Sequence, residues 1–141
     1  MIVFISCVKK KKDFPCRADE MYISDFFKKQ LEYAKSLHPN IVYILSAKYG
    51  VLELQDRIEP YEQTLKKMSK QQKKCWNDMV IRQLIYKNVD FTQKAVFLCG
   101  DLYASGLSDL FTDKELPMSG MKFGERLKFM KERMVEYEEN K

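Results

Sequence analysis

Three short, continuous runs of apolar residues constrain the fold of this chain more than any other feature. They are Met1–Ile5, Ile41–Leu45 and Ala95–Cys99, and each is followed by small or polar residues. Apolar runs of this length without alternation are typical of strands that are buried on both faces, as in parallel sheets. Longer amphipathic stretches lie between them, so strand and helix alternate, which predicts parallel strands joined by right-handed crossovers.

We therefore expect an α/β fold: a three-layer sandwich around a small parallel sheet with strand order 2-1-3. The chain has 141 residues, and we expect one domain over residues 1–141. The apolar segment Val51–Leu54 leaves room for a fourth strand. Ser24 and Ser69 precede two of the helical stretches and are predicted to be their N-caps.

The ends of the predicted strands point to a binding site. In an open parallel sheet all strands deliver their carboxyl ends to one edge, where ligands bind at the point at which the strand order reverses. The three ends read FISCVKK, YILSAKYG and FLCGDLY. We expect the polar residues near them to form one pocket. The predicted substrate-binding residues are Ser6, Lys9, Lys10, Ser46, Lys48, Tyr49, Gly50, Tyr61, Gly100 and Tyr103.

Three further side chains near this edge are candidate catalytic groups. Asp56 and Asp101 are possible general bases, and Asp101 is equally suited to capping a helix. Cys7 is a candidate nucleophile because lysines follow it closely in the sequence. The lysines of the pocket can hold phosphate, and its tyrosines can stack on a flat ring or donate hydrogen bonds.

The charge distribution favours an anionic ligand. The net charge is +5, and basic runs occur at Lys9–Lys12 and in the stretch KKMSKQQKK at 66–74. The four cysteines include no CxxC pair and His38 is the single histidine, so we expect no metal and no cofactor. The chain has no Walker A motif and no GxGxxG after a strand, which argues against P-loop nucleotide hydrolysis and Rossmann dinucleotide binding.

Sequence signals also give an expected location. No apolar run approaches the roughly 20 residues that a membrane-spanning helix needs. The apolar start of the chain has neither a preceding basic region nor a cleavage site, so it does not resemble a signal peptide. We therefore expect a cytoplasmic protein with reduced thiols and no membrane partner.

Parts of the sequence resemble a bacterial and phage domain family of unknown function. The most specific segments are LSAKYGVL with the following IEPYEQTL, and FLCGDLY, and the resemblance extends over nearly the whole chain. The middle block is also similar to the YaaA peroxide-stress proteins, in which Leu-Ser and Tyr-Gly-Leu-Leu are followed by Asp and then Pro-Tyr. The matching positions are Ser46, Tyr49, Gly50, Asp56, Pro60 and Tyr61, and Tyr103 matches a later Glu-Tyr element.

This resemblance implies a sandwich fold related to that of uracil-DNA glycosylases, and binding of DNA, a base or a nucleotide. The water-activating and histidine motifs of uracil-DNA glycosylases are absent, so uracil excision is not expected. Our leading hypothesis is a protein that binds a nucleobase, a nucleotide or a modified DNA base. If it is an enzyme, we expect it to cleave a glycosidic bond or to transfer the base or the ribosyl group. Two alternatives remain open: a non-catalytic DNA-binding stress or phage accessory protein, and a redox protein using Cys7 with Cys99.

Overall fold

The computed structural model of the chain describes residues 1–139, with side chains through residue 136. The strands are β1 (Ile2–Ser6), β2 (Cys16–Arg17), β3 (Ile41–Ser46), β4 (Gly50–Glu53), β5 (Arg57–Ile58), β6 (Ala95–Phe97) and β7 (Lys114–Glu115). The α-helices are α1 (Ala18–Met21), α2 (Asp25–Ser36), α3 (Lys70–Tyr86), α4 (Asp101–Ala104) and α5 (Phe123–Glu139). Short 3₁₀ turns lie at Leu65–Lys67 and Ser108–Leu110.

The main sheet has the strand order β4-β3-β1-β6-β7. β1 pairs in parallel with both β3 and β6, and Ile2 lies opposite Ile41 on one side and Ala95 on the other. β7 is parallel to β6, whereas β4 is antiparallel to β3, and β2 pairs with β5 in a separate antiparallel ribbon. The α/β class is therefore confirmed. The sheet has five strands and is mixed, which corrects the expectation of a small, wholly parallel sheet.

The antiparallel strand follows from a tight turn after β3. Three turn residues separate Ser46 from Gly50, where β4 begins with a φ of 75°, a conformation that glycine adopts readily. The hydroxyl of Ser46 accepts a hydrogen bond from the backbone N–H of Tyr49 at 3.0 Å, which closes the turn. A connection this short can join only antiparallel strands. β4 thus overlaps Val51–Leu54, the segment that left room for a fourth strand.

A side chain of α3 covers the outer edge of β4. The Oε1 atom of Gln83 accepts a hydrogen bond from the N–H of Val51 at 2.8 Å. Its Nε2 atom donates to the carbonyl oxygen of Tyr49 at 3.0 Å. The amide supplies the hydrogen bonds that a further strand would make, and it shields an edge that would otherwise be open to pairing with another chain.

The helices α2 and α3 begin where the sequence predicts, directly after Ser24 and Ser69. Ser24 Oγ accepts from Phe27 N at 3.1 Å, and Ser69 forms a capping box with Gln72, so both predicted caps are confirmed. Every residue of β1 is buried. α2 packs against β1, α5 against α2, and α3 against β4. Within residues 1–139, each helix is too short or too polar to cross a bilayer.

Candidate functional site

A cavity of about 530 Å³ lies at the carboxyl end of β1. This volume falls in the range of roughly 300–1,000 Å³ that is typical of small-molecule sites. One wall is formed by the residues that follow β1, another by the segment before α3, and Tyr103 of α4 completes it. The lining residues are Cys7, Val8, Lys9, Lys11, Glu62, Gln63, Thr64, Lys66, Lys67 and Tyr103.

The sheet brings these separate segments together. Because β1, β3 and β6 are parallel neighbours, their carboxyl ends lie side by side. The N–H of Cys7 donates to the carbonyl oxygen of Leu45 at 3.0 Å, and the N–H of Leu98 donates to that of Phe4 at 2.9 Å. The chain after β6 then turns into α4, which places Tyr103 next to Cys7. β1 lies between β3 and β6, which both follow it in the sequence, so the strand order reverses at β1; ligands bind at this position in such sheets.

Cys7 and Tyr103 form a polar pair in the cavity. The Sγ atom of Cys7 lies 3.3 Å from the hydroxyl oxygen of Tyr103, and either atom can be the donor. The Tyr103 ring packs edge to face against Trp76, with 5.6 Å between the ring centroids. Burial, and then the negative charge of an ionised Cys7, raise the pKa of Tyr103 well above its usual value. Tyr103 therefore stays protonated near neutral pH and can donate a hydrogen bond.

A hydroxyl network of Ser46, Tyr61 and Tyr22 adjoins the cavity. Ser46 Oγ donates to Tyr61 Oη at 2.8 Å, and the hydroxyls of Tyr61 and Tyr22 lie 2.6 Å apart. Burial raises the pKa of both tyrosines, with a further contribution from the charge of an ionised Cys7. The carbonyl oxygen of Ser46 accepts a hydrogen bond from the Trp76 indole N–H at 2.9 Å. The network thus joins the end of β3 to α3 and holds its hydroxyls in their neutral form.

Four lysines give the cavity its charge: Lys9, Lys11, Lys66 and Lys67, here called the cavity lysines. None of them forms an ion pair with a carboxylate in the part of the chain whose side chains are described. Lys11 Nζ donates to the carbonyl oxygen of Lys9 at 3.2 Å and lies 4.4 Å from the centroid of the Tyr61 ring. Burial lowers the pKa of Lys11, although the charges of Cys7 and Glu62 oppose this effect.

The structure brings some of the predicted binding residues to the cavity and not others. Cys7, Lys9 and Tyr103 line it, and Ser46 and Tyr61 belong to the adjoining network. Ser6 is buried, and its backbone N–H and carbonyl pair with the Gln30 amide at 3.2 and 3.3 Å. Its role is therefore to fix the end of β1 on α2.

The other predicted binding residues lie outside the cavity lining. Lys48 lines a separate surface depression of about 460 Å³ beside α3. The Tyr49 hydroxyl accepts from Glu59 N at 3.1 Å on the exposed surface. Lys10 is exposed and Gly50 starts β4. Gly100 is the N-cap of α4, where an added Cβ would lie 3.1 Å from Arg126.

Both predicted catalytic aspartates are engaged in local hydrogen bonds. Asp56 lies at the far end of β4, where its carboxylate accepts from the N–H of Glu53 at 2.9 Å. Asp101 accepts from the Ser119 hydroxyl and from Gly120 N, each at 2.9 Å. Neither carboxylate lines the cavity, so the structure does not bring them together with Cys7. Their hydrogen bonds stabilise a turn and a loop.

Several lining residues were not among the predicted substrate-binding or catalytic residues. Lys11 and the two lysines at 66 and 67 belong to basic runs, but nothing in the sequence places those runs against one cavity. Burial of Leu65 anchors the 3₁₀ turn that positions residues 62–67. Glu62 is the lining carboxylate. Within the described side chains, no group of three or more histidine, cysteine, aspartate and glutamate residues is arranged to hold a metal ion.

The protein is thus an α/β protein with a polar, positively charged cavity at the carboxyl ends of parallel strands. The chain belongs to the DUF6884 family, a family of unknown function, whose model matches residues 2–132. No curated protein matches the chain.

Proposed function

We propose that this protein binds a nucleobase or a nucleotide in the cavity. The nucleotide binds more tightly, because the four cavity lysines hold its phosphate. The observation that carries the proposal is their arrangement: four lysines line one cavity of about 530 Å³, and among the described side chains none of them is within ion-pair distance of a carboxylate. Lysine ammonium groups are common phosphate ligands in proteins.

The remainder of the cavity suits the base and the sugar. Thr64 and Gln63 offer hydrogen-bond donors and acceptors, and the Tyr103 hydroxyl is a donor near neutral pH. The resemblance of the middle block to the YaaA proteins, with their uracil-DNA glycosylase-like fold, supports the same ligand class. This part of the proposal rests on sequence likeness at Ser46 and Tyr61, which adjoin the cavity.

Cleavage or transfer at a glycosidic bond would extend the proposal from binding to catalysis. Such reactions use a carboxylate to stabilise the positive charge that develops on the sugar carbon. Asp56 and Asp101 are held elsewhere by hydrogen bonds, so Glu62, which lines the cavity, is the carboxylate that would take this part. Loss of nucleotide turnover in Glu62→Gln, with binding retained, would support this extension.

The test of binding is calorimetric titration with ribonucleoside monophosphates, nucleosides and free bases. We expect the double variant Lys66→Met/Lys67→Met to weaken nucleotide binding by about tenfold or more, about 1.4 kcal/mol, because two phosphate-facing charges are lost. Nucleosides and bases should bind more weakly than the nucleotides and should be less affected by the double variant. Equal nucleotide affinity in wild type and double variant would overturn the proposal.

A matched control is available in the same basic run. Lys70 and Lys74 are exposed on α3 and do not line the cavity, so Lys70→Met/Lys74→Met removes equal charge from the surface alone. If the cavity is the site, this control retains nucleotide affinity. A loss of equal size in both double variants would indicate attraction by the general field of the protein.

A second candidate function is non-catalytic DNA binding along the basic surface. Lys66, Lys67, Lys70 and Lys74 are all exposed, and they extend from the cavity rim along the start of α3. Binding of this kind falls steeply with salt and depends on total charge. The same two double variants distinguish the candidates: DNA affinity should drop alike in both, whereas affinity for a nucleotide in the cavity should drop only in the first.

A further inference from the structure

The four cysteines of the chain occupy different environments, and all are free. Cys16 and Cys99 are buried, and Cys75 is exposed on α3. Cys7 is partly buried and lines the cavity. A small molecule in the cavity can therefore reach the sulfur of Cys7, and Cys75 provides an exposed thiol for comparison within the same molecule.

Two groups next to Cys7 can assist chemistry at its sulfur. The Tyr103 hydroxyl lies 3.3 Å from Sγ and stays protonated, so it can donate a hydrogen bond to a sulfur that carries negative charge. Lys11 lines the same cavity, and its charge interacts with that of Cys7.

Other titratable groups also interact with Cys7 or line the cavity beside it. The hydroxyls of Tyr22 and Tyr61 interact electrostatically with Cys7 and remain protonated because they are buried. Glu62 is the carboxylate on the cavity lining, and it interacts with Lys11. Cys7 is thus part of a cluster of hydroxyl donors and ammonium groups that faces a ligand-sized space.

We propose that Cys7 is a nucleophile that forms a covalent bond with an anionic ligand of the cavity at an electrophilic carbon, assisted by Lys11 and Tyr103. The anionic character of this ligand rests on the proposed function, whereas the nucleophilic role of the sulfur does not. The proposal gives the cavity a second property beyond reversible binding: it retains those ligands that carry a reactive carbon.

The chemical step balances. The Cys7 thiol releases its proton to water, and the ammonium group of Lys11 stabilises the resulting thiolate. The sulfur electron pair forms an S–C bond, and the bond from that carbon to its leaving group breaks, with its electron pair departing on the leaving group. The leaving group takes up a proton from water, while Tyr103 donates a hydrogen bond at sulfur during the attack. The net change is one S–H and one C–X bond replaced by one S–C and one H–X bond.

Alkylation of the full-length protein by iodoacetate and by iodoacetamide tests the proposal, with the rate at each cysteine followed by peptide mass spectrometry. Iodoacetate is anionic and iodoacetamide is neutral, so their rate ratio reports attraction by the cavity lysines. We expect the ratio of the iodoacetate rate to the iodoacetamide rate to be at least about fivefold higher at Cys7 than at Cys75. Equal ratios, or slower iodoacetate alkylation at Cys7 than at Cys75, would overturn the proposal.

Two further measurements separate the role of the cluster from simple exposure. Lys11→Met should lower the iodoacetate rate at Cys7 about fivefold or more and leave the rate at Cys75 unchanged. If that variant fails to fold, protection of wild-type Cys7 by a ribonucleoside monophosphate tests whether the sulfur faces the bound ligand, and a bound nucleotide that leaves Cys7 fully reactive contradicts the proposal. A selective Cys7 in a protein that binds no nucleotide would instead overturn the proposed function and leave the nucleophile standing.

Discussion

The hydroxyl network gives the sharpest prediction of stability. Tyr61→Phe removes one oxygen atom and keeps the ring, so the packing of Tyr61 against its neighbours is retained. The lost hydroxyl is the acceptor for Ser46 Oγ at 2.8 Å and the partner of Tyr22 at 2.6 Å. Ser46 and Tyr22 are 0% and 2% exposed, so water cannot replace the missing bonds. We therefore expect both remaining hydroxyls to lose a partner in a dry environment.

The magnitude follows from these two losses. Leaving a buried hydroxyl without its partner costs about 1–3 kcal/mol, and Ser46 Oγ still accepts from Tyr49 N at 3.0 Å, which keeps its share near the lower end. We expect Tyr61→Phe to reduce the free energy of unfolding by about 2–4 kcal/mol. The control is Tyr49→Phe, the same chemical change at an exposed hydroxyl, which should cost about 1 kcal/mol or less because water replaces its bonds to Glu59.

Equilibrium urea unfolding measures both variants. Trp76 is the single tryptophan and is 6% exposed, so its fluorescence reports loss of the native environment at the end of β3. The midpoint should shift strongly for Tyr61→Phe and slightly for Tyr49→Phe, with unchanged slopes. A Tyr61→Phe shift no larger than that of Tyr49→Phe would show that the buried network does not stabilise the fold.

Two further predictions concern backbone conformation and pH. Gly50→Ala should destabilise the protein by more than about 1–2 kcal/mol, because Gly50 has a φ of 75° and the new Cβ would collide with Gln83. Gly120 has a φ of 77° but open space around it, so Gly120→Ala should show the conformational cost alone in urea unfolding. Burial raises the pKa of Cys99 to about 12, so above pH 9 the unfolded chain releases a thiol proton that the folded protein retains. Between about pH 9 and 10.5, stability should therefore fall more steeply in wild type than in Cys99→Ala, with the difference in slope approaching about 1.4 kcal/mol per pH unit at the upper end. Parallel pH profiles would contradict the assignment.

The parts of the fold that could be predicted from sequence are those governed by local pattern. The buried strands β1, β3 and β6 follow from continuous apolar runs, and the caps at Ser24 and Ser69 from short-range hydrogen bonding. β7 was not predictable in this way, because Lys114 and Glu115 are exposed and carry no apolar pattern. Its pairing with β6 depends on where the rest of the chain brings it.

The candidate site was predictable only on the side formed by strand ends. Cys7 and Tyr103 follow buried strands, so the parallel arrangement brings them together. The opposite wall comes from residues 62–67, whose position depends on the burial of Leu65 and on the packing of α3, and no local pattern encodes that contact. Asp56 and Asp101 have the residue type of a catalytic base, but nearby N–H and hydroxyl groups engage their carboxylates.

The most direct measurement of the central claim is an amide chemical-shift map of the protein saturated with a ribonucleoside monophosphate. We expect the largest changes at residues 7–11, at residues 62–67 and at Tyr103, which together enclose the cavity. Changes concentrated on α3 beyond Lys70, or around the Lys48 depression, would place the ligand elsewhere and contradict the assignment of the cavity as the binding site.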